Sequence, residues 1–125
     1  MKVTTEKNEK VAKMVFATIY PLYLNRLEKN GRTKEEFHKV LTWFTGYTED
    51  ELQTLIDQKA TYRTLFENAK IHPNAHLIKG VVCGYRIETI EDEFEIYKQC
   101  RRMEKLIDEL AKGRKMEKIL REEKK

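Results

Sequence analysis

The stretch Thr33-Lys-Glu-Glu-Phe-His-Lys-Val-Leu-Thr-Trp-Phe-Thr-Gly-Tyr-Thr-Glu-Asp-Glu-Leu-Gln-Thr-Leu-Ile56 decides the fold. Thr33 and Glu36 have the spacing of a capping box, in which hydroxyl and carboxylate each satisfy a free backbone N–H at a helix start. Thr48 and Glu51 repeat the pattern. Between them, Phe37, Val40, Leu41 and Phe44 fall on one helical face, with Trp43 on its flank, and Gly46 supplies a stop. After the second box, Leu52, Leu55 and Ile56 form the next apolar face. The stretch therefore predicts two helices joined by a tight turn.

Working outward, residues 61–70 predict another helix, started by Thr61 and carrying Tyr62, Leu65 and Phe66 inward. On the N-terminal side, apolar spacing over residues 9–29 predicts one helix that ends at Asn30-Gly31, with a kink or new start at Pro21, which has no N–H to donate. Residues 1–10 are polar and are expected to be a flexible tail. Toward the C-terminus, a long helix is expected over 92–112, with Phe94, Tyr97, Arg101, Met103, Leu106, Ile107 and Leu110 on its stripe and Gly113 as its stop. Met116, Ile119 and Leu120 mark a last short helix before a charged tail at 122–125. The segment 71–92 is ambiguous. Asn74 and Gly84 bracket a helix over 75–83, the reading favoured here. The competing reading is an extended segment, because Val81-Val-Cys-Gly-Tyr-Arg-Ile87 is rich in strand formers. The expected architecture is all-α: a compact orthogonal bundle of five to six helices in a single domain over 11–121, with a short extended segment near 84–90 as the alternative.

Composition narrows the function classes. The chain has 125 residues, room for one domain. Two cysteines, Cys83 and Cys100, exclude a disulfide scaffold, and with no secretory pattern at the start they are expected to be free thiols in the cytoplasm. The apolar run at residues 14–24 is too short for a bilayer, which needs about 20 residues. The net charge is +4, yet it is polarised along the chain. Residues 1–40 carry +4, residues 41–95 carry −5 and residues 96–125 carry +5.

Several constellations are candidates for function. Residues 42–55 have the turn glycine and apolar offsets of a helix-turn-helix. Its recognition helix, however, would hold Glu49, Asp50, Glu51 and Asp57 and no cation, so phosphates would repel it. The basic C-terminal block, with Arg101, Arg102, Lys112, Arg114 and Lys115, is the better candidate for an anion, although Glu104, Asp108 and Glu109 share its face. Glu91 and Asp92 sit where a helix dipole favours negative charge. With Arg86 and Glu88 they are also the candidate lining of a ligand or enzymatic cleft. Trp43 and Tyr47 are candidate interaction aromatics, with Tyr20 and Tyr23 nearby in the pattern. His72 and His76 have zinc-ligand spacing, but Pro73 breaks the helix they would need and no fourth ligand is evident. Gly80-x-x-x-Gly84 lacks the Lys-Ser/Thr of a phosphate loop. No catalytic residue, metal or cofactor is named.

Longer blocks carry a resemblance. Tyr20-Pro-Leu-Tyr23, Gly31-Arg-Thr-Lys-Glu-Glu36 and Trp43-Phe-Thr-Gly-Tyr47 are followed by Leu77-Ile-Lys-Gly-Val-Val-Cys-Gly84, Arg86-Ile-Glu88 and Ile90-Glu-Asp92. Leu106-Ile-Asp-Glu-Leu-Ala-Lys-Gly113 and Lys115-Met-Glu-Lys-Ile-Leu-Arg121 complete the series. In this order, over residues 13–121, the chain resembles the bacterial family catalogued as domain of unknown function 2200. The resemblance implies an all-helical, cytoplasmic bacterial protein with no established activity. It keeps Arg86, Glu88, Glu91, Asp92 and Lys112-Gly113 inside the pattern and leaves His72 and His76 outside. Tyr85 and Glu93 depart from it, where a small aliphatic residue and a Pro are usual. The resulting expectation is a protein–protein or self-association module. A nucleic-acid binder using the C-terminal helix, or a ligand-binding protein or enzyme around Arg86, is the alternative.

Overall fold

The computed structural model describes residues 3–121, so the expected charged tail at 122–125 lies outside the described residues. The two capping boxes are present. In α3 (Lys34–Thr45) and α4 (Glu49–Asp57), the Thr33 and Thr48 hydroxyls accept from the Glu36 and Glu51 N–H groups, and both glutamates reach back to the cap N–H. Gly46 between them has φ +77°, and a Cβ there would lie 2.6 Å from the Lys70 carbonyl oxygen. That approach is used: the N–H groups of Lys70 and His72 donate to the carbonyls of Thr45 and Phe44, at 2.8 and 3.0 Å. Helix α5 (Tyr62–Glu67) starts on the Thr61 hydroxyl as expected and stops three residues early.

The expected single helix over 9–29 is two: α1 (Thr5–Ala12) and α2 (Phe16–Lys29). The break falls at 13–15, not at Pro21, which α2 accommodates in its interior. The cause is tertiary. Met14 and Val15 run antiparallel to residues 60–62: Tyr62 N–H donates to Met14 C=O at 2.8 Å, and Phe16 N–H to Ala60 C=O at 3.0 Å. The expected flexible tail over 1–10 is also helical from Thr5, capped by Thr4. Asn8 explains the anchoring, because its side-chain oxygen accepts from Tyr97 N–H at 2.9 Å.

Over 71–92 the favoured helix does not form. Pro73–Leu77 is a 3-10 helix. β1 (Val81–Val82) and β2 (Tyr85–Arg86) then make an antiparallel hairpin. Its turn residues, Cys83 and Gly84, have φ +52° and +82°, the doubly left-handed turn whose twist suits two-residue hairpins. Short 3-10 turns at Ile87–Thr89 and Asp92–Phe94 lead into α6 (Glu95–Ala111), three residues later than expected, and α7 (Met116–Ile119) closes the order.

The all-α expectation holds apart from this hairpin, with seven α-helices among the described residues. α6 organises them. It packs against α1, α2, α3, α5, α7 and the hairpin. It buries Ile96, Cys100, Met103, Leu106, Ile107 and Leu110 against Phe16, Leu27, Phe37, Val40, Leu41, Phe44, Tyr62 and Leu65. A smaller cluster of Tyr85, Ile90, Phe94 and Tyr97 seals the hairpin to the start of α6.

Candidate functional site

The carboxylates near the start of α6 divide between two tasks. Glu88 spans the hairpin base: it accepts the Gly80 N–H at 3.0 Å and lies 3.7 Å from Arg86. The Gly80 N–H first, then its own backbone N–H, and more weakly the Arg86 charge, hold its carboxyl below the usual range. Both side chains stand in solvent, 57% and 39% exposed. Asp92 instead pairs with Lys98 on α6, and the Glu91 carbonyl accepts the Phe94 N–H at 3.0 Å. These contacts pin the hairpin and the first turn of the long helix.

The basic block is drawn inward. Arg101 pairs with Glu104, donates to the Tyr97 hydroxyl at 2.8 Å and lies over the Tyr97 and Tyr85 rings at 4.7 and 5.4 Å. Arg102 is half-buried beside Gln99. Lys112 meets Asp108 at 3.1 Å, as Arg26 does at 2.9 Å. Burial alone would raise the Asp108 carboxyl, and these two cations outweigh it, leaving it below the ordinary value. Arg114 and Arg121 converge on Glu109, 7% exposed, at 2.9 and 2.7 Å. Arg121 also caps Leu77 C=O, so this carboxylate ties α7 to the 3-10 helix. Lys115 and Lys118 are exposed, with no carboxylate partner among the described residues.

Trp43 and Tyr47 separate in function. The Trp43 indole stacks on His72 at 4.4 Å. The His72 Nδ1 accepts the Asn74 N–H at 3.0 Å, and His76 turns to Pro73 C=O at 2.9 Å. Among the described residues no three metal-ligating side chains converge. Tyr47 fastens its hydroxyl to Leu65 C=O at 2.6 Å and, with Asp50, Glu51, Thr54 and Leu55, lines a mainly apolar notch of about 300 Å³.

Beside this notch lies a feature the sequence reading passed over. A cavity of about 320 Å³ between α3 and α4 is lined by Lys34, Glu35, His38, Glu49, Asp50 and Gln53, and so shares Asp50 with the notch. Tyr20 of α2 meets the His38 Nε2, and Glu49 of α4 lies 3.2 Å from Nδ1. A carboxylate only accepts. With the imidazole neutral, one pattern therefore satisfies both contacts: Nδ1–H donates to Glu49 and the Tyr20 O–H donates to Nε2. Burial first, then Glu28 and Glu49, raise the Tyr20 phenol, so this hydroxyl keeps its proton rather than acting as an activated nucleophile. The His38 clip fixes Glu49 at the cavity mouth. Residues 18 and 11 positions apart carry it, and only the Phe37-His38 step on a helix already turned inward hinted at a partly buried histidine.

Around α4 the result is a surface with an apolar notch, a polar cavity and four carboxylates, Glu35, Glu49, Asp50 and Glu51, against Lys34. No helix among the described residues is long and apolar enough to cross a membrane.

Comparison with solved structures finds the crystal structure of uncharacterized protein SP1917, with a TM-score of 0.81 and 34% identity over 90% of this chain and 91% of that one. No curated protein matches. A family model described as "Uncharacterized protein conserved in bacteria (DUF2200)" matches residues 10–121. The sequence blocks, the shared fold and this match over most of the chain agree, and the protein belongs to that bacterial family, DUF2200.

Proposed function

We propose that the protein is a cytoplasmic protein–protein interaction module that associates with copies of itself, and that the α3–α4 face is the surface it uses. The observation that carries this reading is the pairing of an apolar notch with an acid-rimmed cavity at Asp50. Interfaces combine an apolar anchor pocket with charges that select the partner. The internal pairing of Arg101, Lys112 and Arg114 draws support away from a phosphate-binding C-terminal helix. The exposed pair Arg86–Glu88 does the same for a cleft there.

Light scattering across protein concentration, at about 50 mM and roughly 500 mM salt, tests the reading, since the higher salt screens surface charges within a few ångströms. Association that weakens with salt is the expected result. A strictly monomeric protein at both salts overturns it.

A further inference from the structure

We infer that the occupant of the α3–α4 face is the turn between α6 and α7 of a second copy of this chain, docked through Lys115, Met116 and Lys118. This rests on the interaction reading above and names its partner.

Three observations carry it. First, the chemistry is complementary. On the α3–α4 face Asp50 and Glu51 line the mainly apolar notch, and Glu35 and Glu49 line the cavity beside it. The α6–α7 turn presents Lys112, Arg114, Lys115 and Lys118, with Glu117 among them, beside the half-buried Met116. A thioether side chain is pliable enough to fill an irregular apolar notch, and the exposed Lys115 and Lys118 near Met116 are opposite in charge to the Asp50 and Glu51 that line the notch.

Second, the charges on both sides are available. Lys112 and Arg114 are spoken for by Asp108 and Glu109, but Lys115 and Lys118 have no carboxylate partner among the described residues. On the other face, Glu51 is used by its capping box and Glu49 by His38, while the Glu35 and Asp50 carboxylates are exposed and no ion pair engages them among the described residues. Third, the receiving face is held in shape before anything binds. The His38 clip positions Glu49, and the Tyr47 hydroxyl on Leu65 fixes one wall of the notch. Preorganisation of this kind lowers the ordering cost of association. The contact joins two different patches, so each copy offers both a donor turn and a receiving face.

The test is a charge swap read by sedimentation at low salt, with circular dichroism confirming that each variant is folded. One variant is E35K/D50K, which reverses the receiving face outside its capping box. The other is K115E/K118E, which reverses the turn and leaves the Asp108 and Glu109 pairs in place. Each variant alone is expected to associate about tenfold or more weakly than wild type, because like charges now face each other. An equimolar mixture is expected to recover association, because the reversed face of one fits the reversed turn of the other.

If wild type associates and both variants associate equally well, the inference is overturned and the interaction reading stands. The same holds if each variant fails and the mixture does not recover. If wild type is monomeric at every concentration and salt, both fall.

Discussion

His38 is the side chain through which three helices meet. With its imidazole neutral, it accepts the Tyr20 O–H from α2 on Nε2 and donates Nδ1–H to the Glu49 carboxylate on α4. Truncation to alanine removes both bonds and leaves the Tyr20 hydroxyl without its acceptor. H38A is expected to lower stability by about 1–3 kcal/mol in urea unfolding. Glu109 is more demanding, because two guanidinium groups share one buried oxygen. E109Q is expected to cost about 3 kcal/mol or more, since breaking a buried pair strands the remaining charge.

Asp108 sets a pH dependence. Its folded carboxyl lies below the ordinary value, so its contribution is fully present above about pH 4 and is lost as pH falls through the folded value. Urea midpoints measured down the acid limb should fall less steeply for D108N than for wild type, and parallel curves would show that Arg26 and Lys112 contribute nothing there.

At the scale of elements, what the sequence made legible was local. The two capping boxes and the Thr61 cap act within three residues, and each appears with the expected partners. The inner face Phe37, Val40, Leu41 and Phe44 is buried as its spacing requires. What failed depended on remote backbone. The break between α1 and α2 is made by residues 60–62, more than forty positions away. The stretch 75–83 misled because Leu77, Ile78, Val81 and Val82 fit one helical face as well as they fit a hairpin strand. Cys83-Gly84 decided the matter through two left-handed residues, and a cysteine is not a usual first residue of such a turn. Restoring the usual residue tests this account. C83N builds the Asn-Gly pair that two-residue hairpins favour, and is expected to raise stability by about 0.5–1 kcal/mol. The candidate surface was half legible. Tyr47 and Asp50 were named from sequence and lie within one short stretch, but Glu35 and His38 join Glu49 and Asp50 only when α3 and α4 lie side by side.

At the scale of the molecule, several cations of the basic ends are paired within the fold, chiefly with carboxylates of those same ends. Arg26, Lys112, Arg114 and Arg121 bind Asp108 and Glu109, and Arg63 binds Glu9 and Glu67 at 2.6 and 3.2 Å. Among the charges outside these pairs are Asp50 on α4 and Lys115 and Lys118 at the α6–α7 turn, the two places where association is expected.

The position of α6 has a consequence for synthesis. The helix that packs against nearly every other element begins at Glu95, so residues 1–94 are synthesised before that packing partner exists. At about 5–20 residues per second, α6 takes about one to three seconds to appear, and until then α2, α3 and α4 pack on one another without the long helix that completes their burial. The core is therefore completed once α6 has been made, and a nascent chain stalled at Phe94 is expected to be more protease-sensitive than one stalled beyond Leu120.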